Sequence, residues 1–205
     1  IAPTSFTPRA LTARICASFG KPVFLLPGNH DPALPNTYWY RDALWADAPN
    51  VVRITRPDPI PLPGGATLFP TPLTSKYSPR DLTTWIAAAP RIEGVRIGLA
   101  HGFLDRMPIA DSPNFPIARD AAERYDLDYL ALGDTHGFRP YADSHGVERT
   151  FFSGSHEQTA IDDVDAGDIL LVDIADHGSA PRIERVHTGE LSWHALRIDD
   201  LSDSS

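Results

Sequence analysis

Apolar and polar positions along the chain follow two rhythms. Helical spacing comes first. Leu11, Ile15 and Phe19 stand at i, i+4 and i+8, behind Thr7-Pro8 as N-cap and first-turn proline and ahead of Gly20 as terminator. This predicts a short amphipathic helix. An unbroken apolar run, Val23 to Leu26, then ends abruptly in Gly28-Asn29-His30-Asp31. Such a run predicts a strand buried on both faces. Asn36 is positioned to cap a second helix carrying Tyr38, Trp39, Leu44 and Trp45, and NVVRIT (50–55) predicts a short strand.

The alternation continues beyond a Pro/Gly-rich loop at 56–65. ATLFPTPL predicts a strand, and Ser78-Pro79-Arg80-Asp81 predicts a capped helix start leading to Leu82, Trp85 and Ile86. VRIGLA (95–100) and DYLAL (128–132) are further buried-type strands, separated by a loop at 103–115 and a predicted helix at 116–125. A turn at 142–146, the strand ERTFFSG, a polar loop (SHEQTAIDDVDAG) and the hairpin DILLVDI/RIERVHTG follow. LSWHALRI then leads to an acidic tail at 201–205. Strands alternating with helices predict an α/β fold.

Composition narrows this picture. The 205 residues suffice for one sizeable domain, and 42% hydrophobic with 22% charged is an ordinary globular balance. The single cysteine, Cys16, excludes an internal disulfide and fits a reducing, cytoplasmic compartment; its place in a helical pattern predicts a packing role. A net charge of −9 argues against a surface that attracts nucleic acid everywhere. No run approaches the roughly 18 apolar residues of a membrane-spanning helix. The N-terminus shows neither a signal pattern nor an initiator methionine, so the chain reads as part of something longer.

Four strands end alike. PVFLLP runs into GNHD, VRIGLA into HGF, DYLAL into GDTHG, and ERTFF into SGSHEQ. In open α/β sheets functional groups gather at the carboxyl ends of strands. If these strands share one sheet or two facing sheets, Asn29, His30, His101, Asp134 and His136 converge as an N/O ligand set suited to Mn²⁺, Fe or Zn²⁺. His30 can bind a metal or move a proton, and Asp31 can orient its imidazole. Asp134 and His136 point the same way if the backbone between them is extended. The plain alternatives are a polar turn at 28–31 and a hydrogen-bonded strand-end residue at His101. His145 reads as a turn residue, His156 as a loop cap, and His177, His187 and His194 as exposed positions of the closing hairpin and terminal strands.

These motifs, in this order, resemble the third, fourth and fifth motifs of calcineurin-like metallophosphoesterases. LALGDTHGF and FFSGSHEQT are similar to the branch of DNA-repair exonucleases of the SbcD type. The resemblance covers about residues 5–200, with GNHD its most specific part. It implies an α/β/β/α sandwich of two facing mixed sheets, forming a domain over 1–200. It also implies two divalent ions, Mn²⁺ first and Fe, Zn or Mg as alternatives. Asn29, His101 and Asp134 would bind one ion and His136 the other. His30 would stabilise the transition state or protonate the leaving oxygen, with Asp31 setting its tautomer. The family's earlier D-x-H and G-D-x-x-D/N motifs have no counterpart, since residues 1–21 hold no Asp, Glu or His. The expected domain therefore lacks its N-terminal strands, on the order of 30 residues or more.

The expected activity is metal-dependent phosphoester hydrolysis with DNA ends as leading substrate and an SMC-like ATPase or a second copy of the chain as candidate partner. The substrate-binding residues are not legible. The competing expectations are a degenerate, non-catalytic binding protein and a small-molecule phosphodiesterase or phosphatase.

Overall fold

The computed structural model describes residues 8–105 and 114–194. Its first elements are helix α1 (Pro8–Ser18), strand β1 (Val23–Leu25), a 3₁₀ turn at Tyr38–Tyr40, helix α2 (Asp42–Trp45) and strand β2 (Val51–Arg53). β1 and β2 pair in parallel, Val23 opposite Val51. Next come β3 (Ile60–Pro61), β4 (Thr67–Thr71), a 3₁₀ helix at Leu82–Ala88, β5 (Arg96–His101), β6 (Phe103–Leu104) and β7 (Pro116–Ile117). Helix α3 (Ala121–Arg124), β8 (Tyr129–Gly133), β9 (Arg139–Ala142), β10 (Glu148–Phe152), β11 (Asp168–Asp173) and β12 (Arg182–His187) complete the order.

A six-stranded mixed sheet, β3-β4-β5-β8-β10-β9, is the centre. Its four inner strands are parallel, and β3 and β9 run antiparallel at the edges. The inner strands read as apolar runs because they are covered on their faces. Phe69, Leu130 and Phe152 are fully buried, and Ile86, Ala121, Ala122, Tyr125 and Leu127 close over one side. All three prolines in this sheet fit edge rules, and Pro61 lies in the edge strand β3. Pro140 sits in the edge strand β9, and Pro70 lies beyond the two residues of β4 that β3 reaches. The GNHD loop joins this sheet through Ala33, whose N–H donates to the Leu73 carbonyl at 2.8 Å.

Several local expectations are corrected. In α1, the predicted core stripe faces outward: Leu11, Ile15 and Phe19 are 50%, 60% and 65% exposed, whereas Ala13 is 4% exposed. The helix contacts α2 and β2, and its buried position is Ala13. Cys16 is half-buried beside this contact. Thr7 lies outside the described residues. Asn36 does not cap a helix. It adopts φ 64°, and the segment splits into the 3₁₀ turn and α2. The helix after Ser78 is 3₁₀ and begins later, with Asp81 as its N-cap accepting from Thr83 N at 2.8 Å. The predicted helix at 116–125 opens instead as β7, and only Ala121–Arg124 is helical. Strand β9 was hidden by Pro140. Residues 191–194 form no strand, and 195–200 lie outside the described residues.

The closing hairpin β11–β12 matches expectation in both strands, which pair with Asp168 opposite His187. Its attachment does not. Asp128, 1% exposed, accepts from Arg96 N at 2.8 Å, His177 Nδ1 at 3.0 Å and Gly178 N at 2.6 Å. Arg149 donates to the Ser179 and Gly178 carbonyls. One buried carboxylate thus ties the hairpin turn to the start of β5, and His177 is part of the tie rather than a free surface group.

Candidate metal centre

Three strand ends build the site. After β1 the chain turns at Gly28, and Asp31 closes the turn. Its Oδ1 accepts from Gly28 N at 3.0 Å, its Oδ2 accepts from the Tyr38 hydroxyl, and its carbonyl accepts from Trp39 Nε1 at 2.6 Å. Both carboxylate oxygens are therefore engaged, and Asp31 holds the loop rather than the imidazole of its neighbour. That rigid turn presents Asn29 inward and leaves His30 exposed, with no hydrogen bond among the described residues.

β5 and β8 are parallel neighbours with His101 opposite Gly133, so His101 and Asp134 emerge side by side. The His101 ring lies between two glycines. A Cβ on Gly28 would stand 2.8 Å from its Cε1, and one on Gly133 would stand 2.8 Å from its Nδ1. Real side chains do not approach so closely, so glycine at both places is what admits the ring. Asp134 adopts φ 113°, a conformation L-residues rarely enter.

The three side chains meet. His101 Nε2 is 3.1 Å from Asn29 Oδ1 and 3.4 Å from Asp134 Oδ1, and Asn29 Nδ2 donates to Asp134 Oδ1 at 3.1 Å. Ligand atoms held about 2.1 Å from one ion stand about 3.0 Å apart at right angles and about 3.4 Å apart at the tetrahedral angle. The two separations from His101 Nε2, to Asn29 Oδ1 and to Asp134 Oδ1, fall in that range, while the Asn29 amide nitrogen donates to Asp134. Among the described residues, no three His, Cys, Asp or Glu side chains gather on one point, so the set depends on the Asn29 amide.

His136 stands apart from this triad. The turn at Asp134 breaks the extended backbone that would have placed the two side chains together. His136 Nδ1 instead bonds Asp163 Oδ1 at 2.8 Å. A carboxylate on Nδ1 fixes the tautomer and leaves Nε2 available to a metal or a substrate oxygen. Asp163 is itself clamped. The Thr159 hydroxyl and His136, then the Thr159 and Ala160 amides, hold its carboxyl down at about 2. Sequence reasoning missed Asp163, since 155–167 read as an undivided polar loop. The spacing of Thr159 and Asp163, a side-chain-capped turn, was the available signal. Tyr38 was missed as well, because its aromatic ring read as helix core.

The model of the calcineurin-like phosphoesterase family matches residues 6–138. The chain belongs to that family. The matched stretch ends just past His136, so it contains all six candidate residues: Asn29, His30, Asp31, His101, Asp134 and His136. Strands β9 to β12 lie beyond it. A search of curated proteins found no significant match. As a calcineurin-like phosphoesterase, the chain falls among metal-dependent phosphoester hydrolases, for which two divalent ions are the usual complement. Asn29, His101 and Asp134 bring an amide oxygen, an imidazole nitrogen and a carboxylate oxygen together at three strand ends. No helix of the described residues is long and apolar enough to cross a membrane.

Proposed function

We propose that this chain carries the catalytic side chains of a phosphodiesterase of the exonuclease type, with phosphodiester ends in DNA as its leading substrate. The observation that carries this reading is the Asn29–His101–Asp134 triad at adjoining strand ends, with His30 projecting free beside it. In this reading β1–β2 belongs to the second of two facing sheets in an α/β/β/α sandwich.

Asn29, His101 and Asp134 would hold a divalent ion, Mn²⁺ by preference, with His136 toward a second. Bound there, such ions activate water and neutralise phosphoryl oxygens. The chain's own residues do the rest. The two glycines hold the His101 ring in line with Asn29, so the donor set is preformed. Asp163 keeps the His136 Nε2 lone pair outward. Asp31 fixes the turn, and His30, exposed at its tip, gives its proton to the departing oxygen. Because Asp31 is engaged elsewhere, His30 stays mobile enough to follow that oxygen.

Two measurements test the reading. Calorimetric titration with Mn²⁺ should show binding that Asn29→Ala abolishes. Hydrolysis of bis-p-nitrophenyl phosphate should depend on Mn²⁺ and fall at least about 100-fold in His30→Ala. Failure of the wild-type chain to bind Mn²⁺ would overturn it. The non-catalytic alternative draws on one observation, that only three donors converge. Tight binding of a single ion without turnover would favour it.

A further inference from the structure

Beside His30 the surface opens into a cleft of about 380 Å³ whose lining includes His30, Asp31, Asn36, Tyr38, Arg41 and Lys76. Its charges are unbalanced. Asp31 is its one carboxylate, and that group is taken up by Gly28 N and the Tyr38 hydroxyl. The Arg41 and Lys76 side chains are exposed and form no ion pair or hydrogen bond among the described residues, although carboxylates outnumber cations by 27 to 18 in the whole chain. Other cations of the chain, Arg53, Arg124, Arg149 and Arg185 among them, are ion-paired. Two that remain open on the same cleft as a free imidazole form a site for an anion. Tyr38 adds an aromatic wall, stacked on Trp39 with ring centroids 5.0 Å apart.

Position decides which anion. His30 follows the metal-binding Asn29 directly, so the cleft lies on the side of the site from which His30 reaches the scissile phosphate. We infer that the His30–Arg41–Lys76 cleft binds a second phosphate of the substrate, one unit removed from the phosphate that is cleaved. The inference rests on the phosphodiesterase reading above and narrows it. The substrate class becomes compounds with at least two phosphate groups, in which Arg41 can bond two oxygens at once and Lys76 serves as a point charge. Simple phosphomonoesters would leave the cleft unfilled. A nucleic-acid strand and a small bisphosphate share this chemistry.

Binding, measured by calorimetry in the presence of EDTA, separates this inference from the question of activity. Wild-type chain is titrated with thymidine 5′-monophosphate and with thymidine 3′,5′-bisphosphate. The expected result is binding of the bisphosphate tighter by about tenfold or more, since each hydrogen bond to a charged group is worth that much. The double variant Arg41→Ala/Lys76→Ala should lose the preference while its melting temperature holds, because neither side chain bonds the protein. Lys76→Glu should reverse it. Retention of the preference by the double variant, or no preference in the wild type, would overturn the inference. An oligothymidylate binding more tightly than the bisphosphate, with an affinity that falls steeply with salt, assigns the second phosphate to a strand; equal affinity assigns it to a small molecule. If the preference is present but bis-p-nitrophenyl phosphate is not cleaved, the cleft stands and the catalytic reading fails.

Discussion

Asp134 adopts a φ of 113° while its carboxylate meets Asn29 and His101, and replacing it by glycine and by alanine separates these two facts. Both replacements delete the carboxylate and its contacts, so their common effect on stability is the same. They differ in backbone preference. A non-glycine residue in a sparsely populated region costs about 1–3 kcal/mol. Glycine relieves that strain but loses about 0.5–1 kcal/mol through the greater freedom of the unfolded chain. The difference leaves Asp134→Gly more stable than Asp134→Ala by about 1 kcal/mol, with a range from near zero to about 2.5 kcal/mol. For a chain of this size each kcal/mol moves the midpoint by about 2–4 °C. Differential scanning calorimetry of both variants, with Mn²⁺ titration in parallel, provides the assay. The expected outcome is loss of metal binding in both and a higher midpoint for the glycine variant. An alanine variant as stable as the glycine variant, or more so, would refute the claim that the ligand position is held under backbone strain.

Three further outcomes follow from the same structure. Gly133→Ala should keep the fold but weaken Mn²⁺ binding at least about tenfold, because its Cβ would meet His101 Nδ1 at 2.8 Å and push the ring from Asn29; calorimetry reads the loss and circular dichroism the retained fold. Asp128→Ala should destabilise the chain by about 2–4 kcal/mol, since it strands the buried Arg96 N–H and frees the hairpin turn, and chemical denaturation measures it. Asp168 has its carboxyl lowered from 3.8, first by the hydrogen bond from His187 and then by Arg185. A lowered folded value means stability that is complete above 3.8 and drains away as pH falls through the folded value, so hydrogen-exchange protection along β11–β12, taken relative to the intrinsic rate at each pH, should fall only below 3.8. Unchanged protection between neutral pH and pH 2 would contradict this ion-pair account.

The legible part of the fold was the part dictated by uniform burial. β4, β5, β8 and β10 were found because parallel strands in a covered sheet are largely apolar, whereas β1 is a strand but only half-buried, in a two-stranded sheet with β2. What misled was local. The α1 stripe had helical spacing, yet Ala13 faces the neighbours and Leu11, Ile15 and Phe19 do not, because spacing reveals a period and not which face is chosen. Asp81 rather than Ser78 caps the 3₁₀ helix, since either residue could and tertiary packing decided. At the site, Asn29, His101 and Asp134 were legible because each ends a strand. Asp163 and Tyr38 were not, since each reaches its partner across a loop whose path only packing defines. The His136 expectation assumed an extended chain, and the φ at Asp134 removed that assumption.

The glycines and the strained aspartate explain one another. An imidazole at the end of β5 can reach an amide at the end of β1 only if the backbones on both sides of its ring are bare, which Gly28 and Gly133 provide. Gly133 brings the chain past the ring, and the next residue must turn its carboxylate back toward the same point; φ 113° is the turn that does so. Backbone geometry therefore brings the three side chains together in the folded chain. A flexible triad would lose conformational entropy on binding. In this one the parallel register of β5 and β8, with His101 opposite Gly133, sets the arrangement in the folded chain. The coupling has a direction. Loosening the β5–β8 register would release the strain at Asp134 and disperse the three donors together, so the site and the central sheet should be lost in one step rather than two.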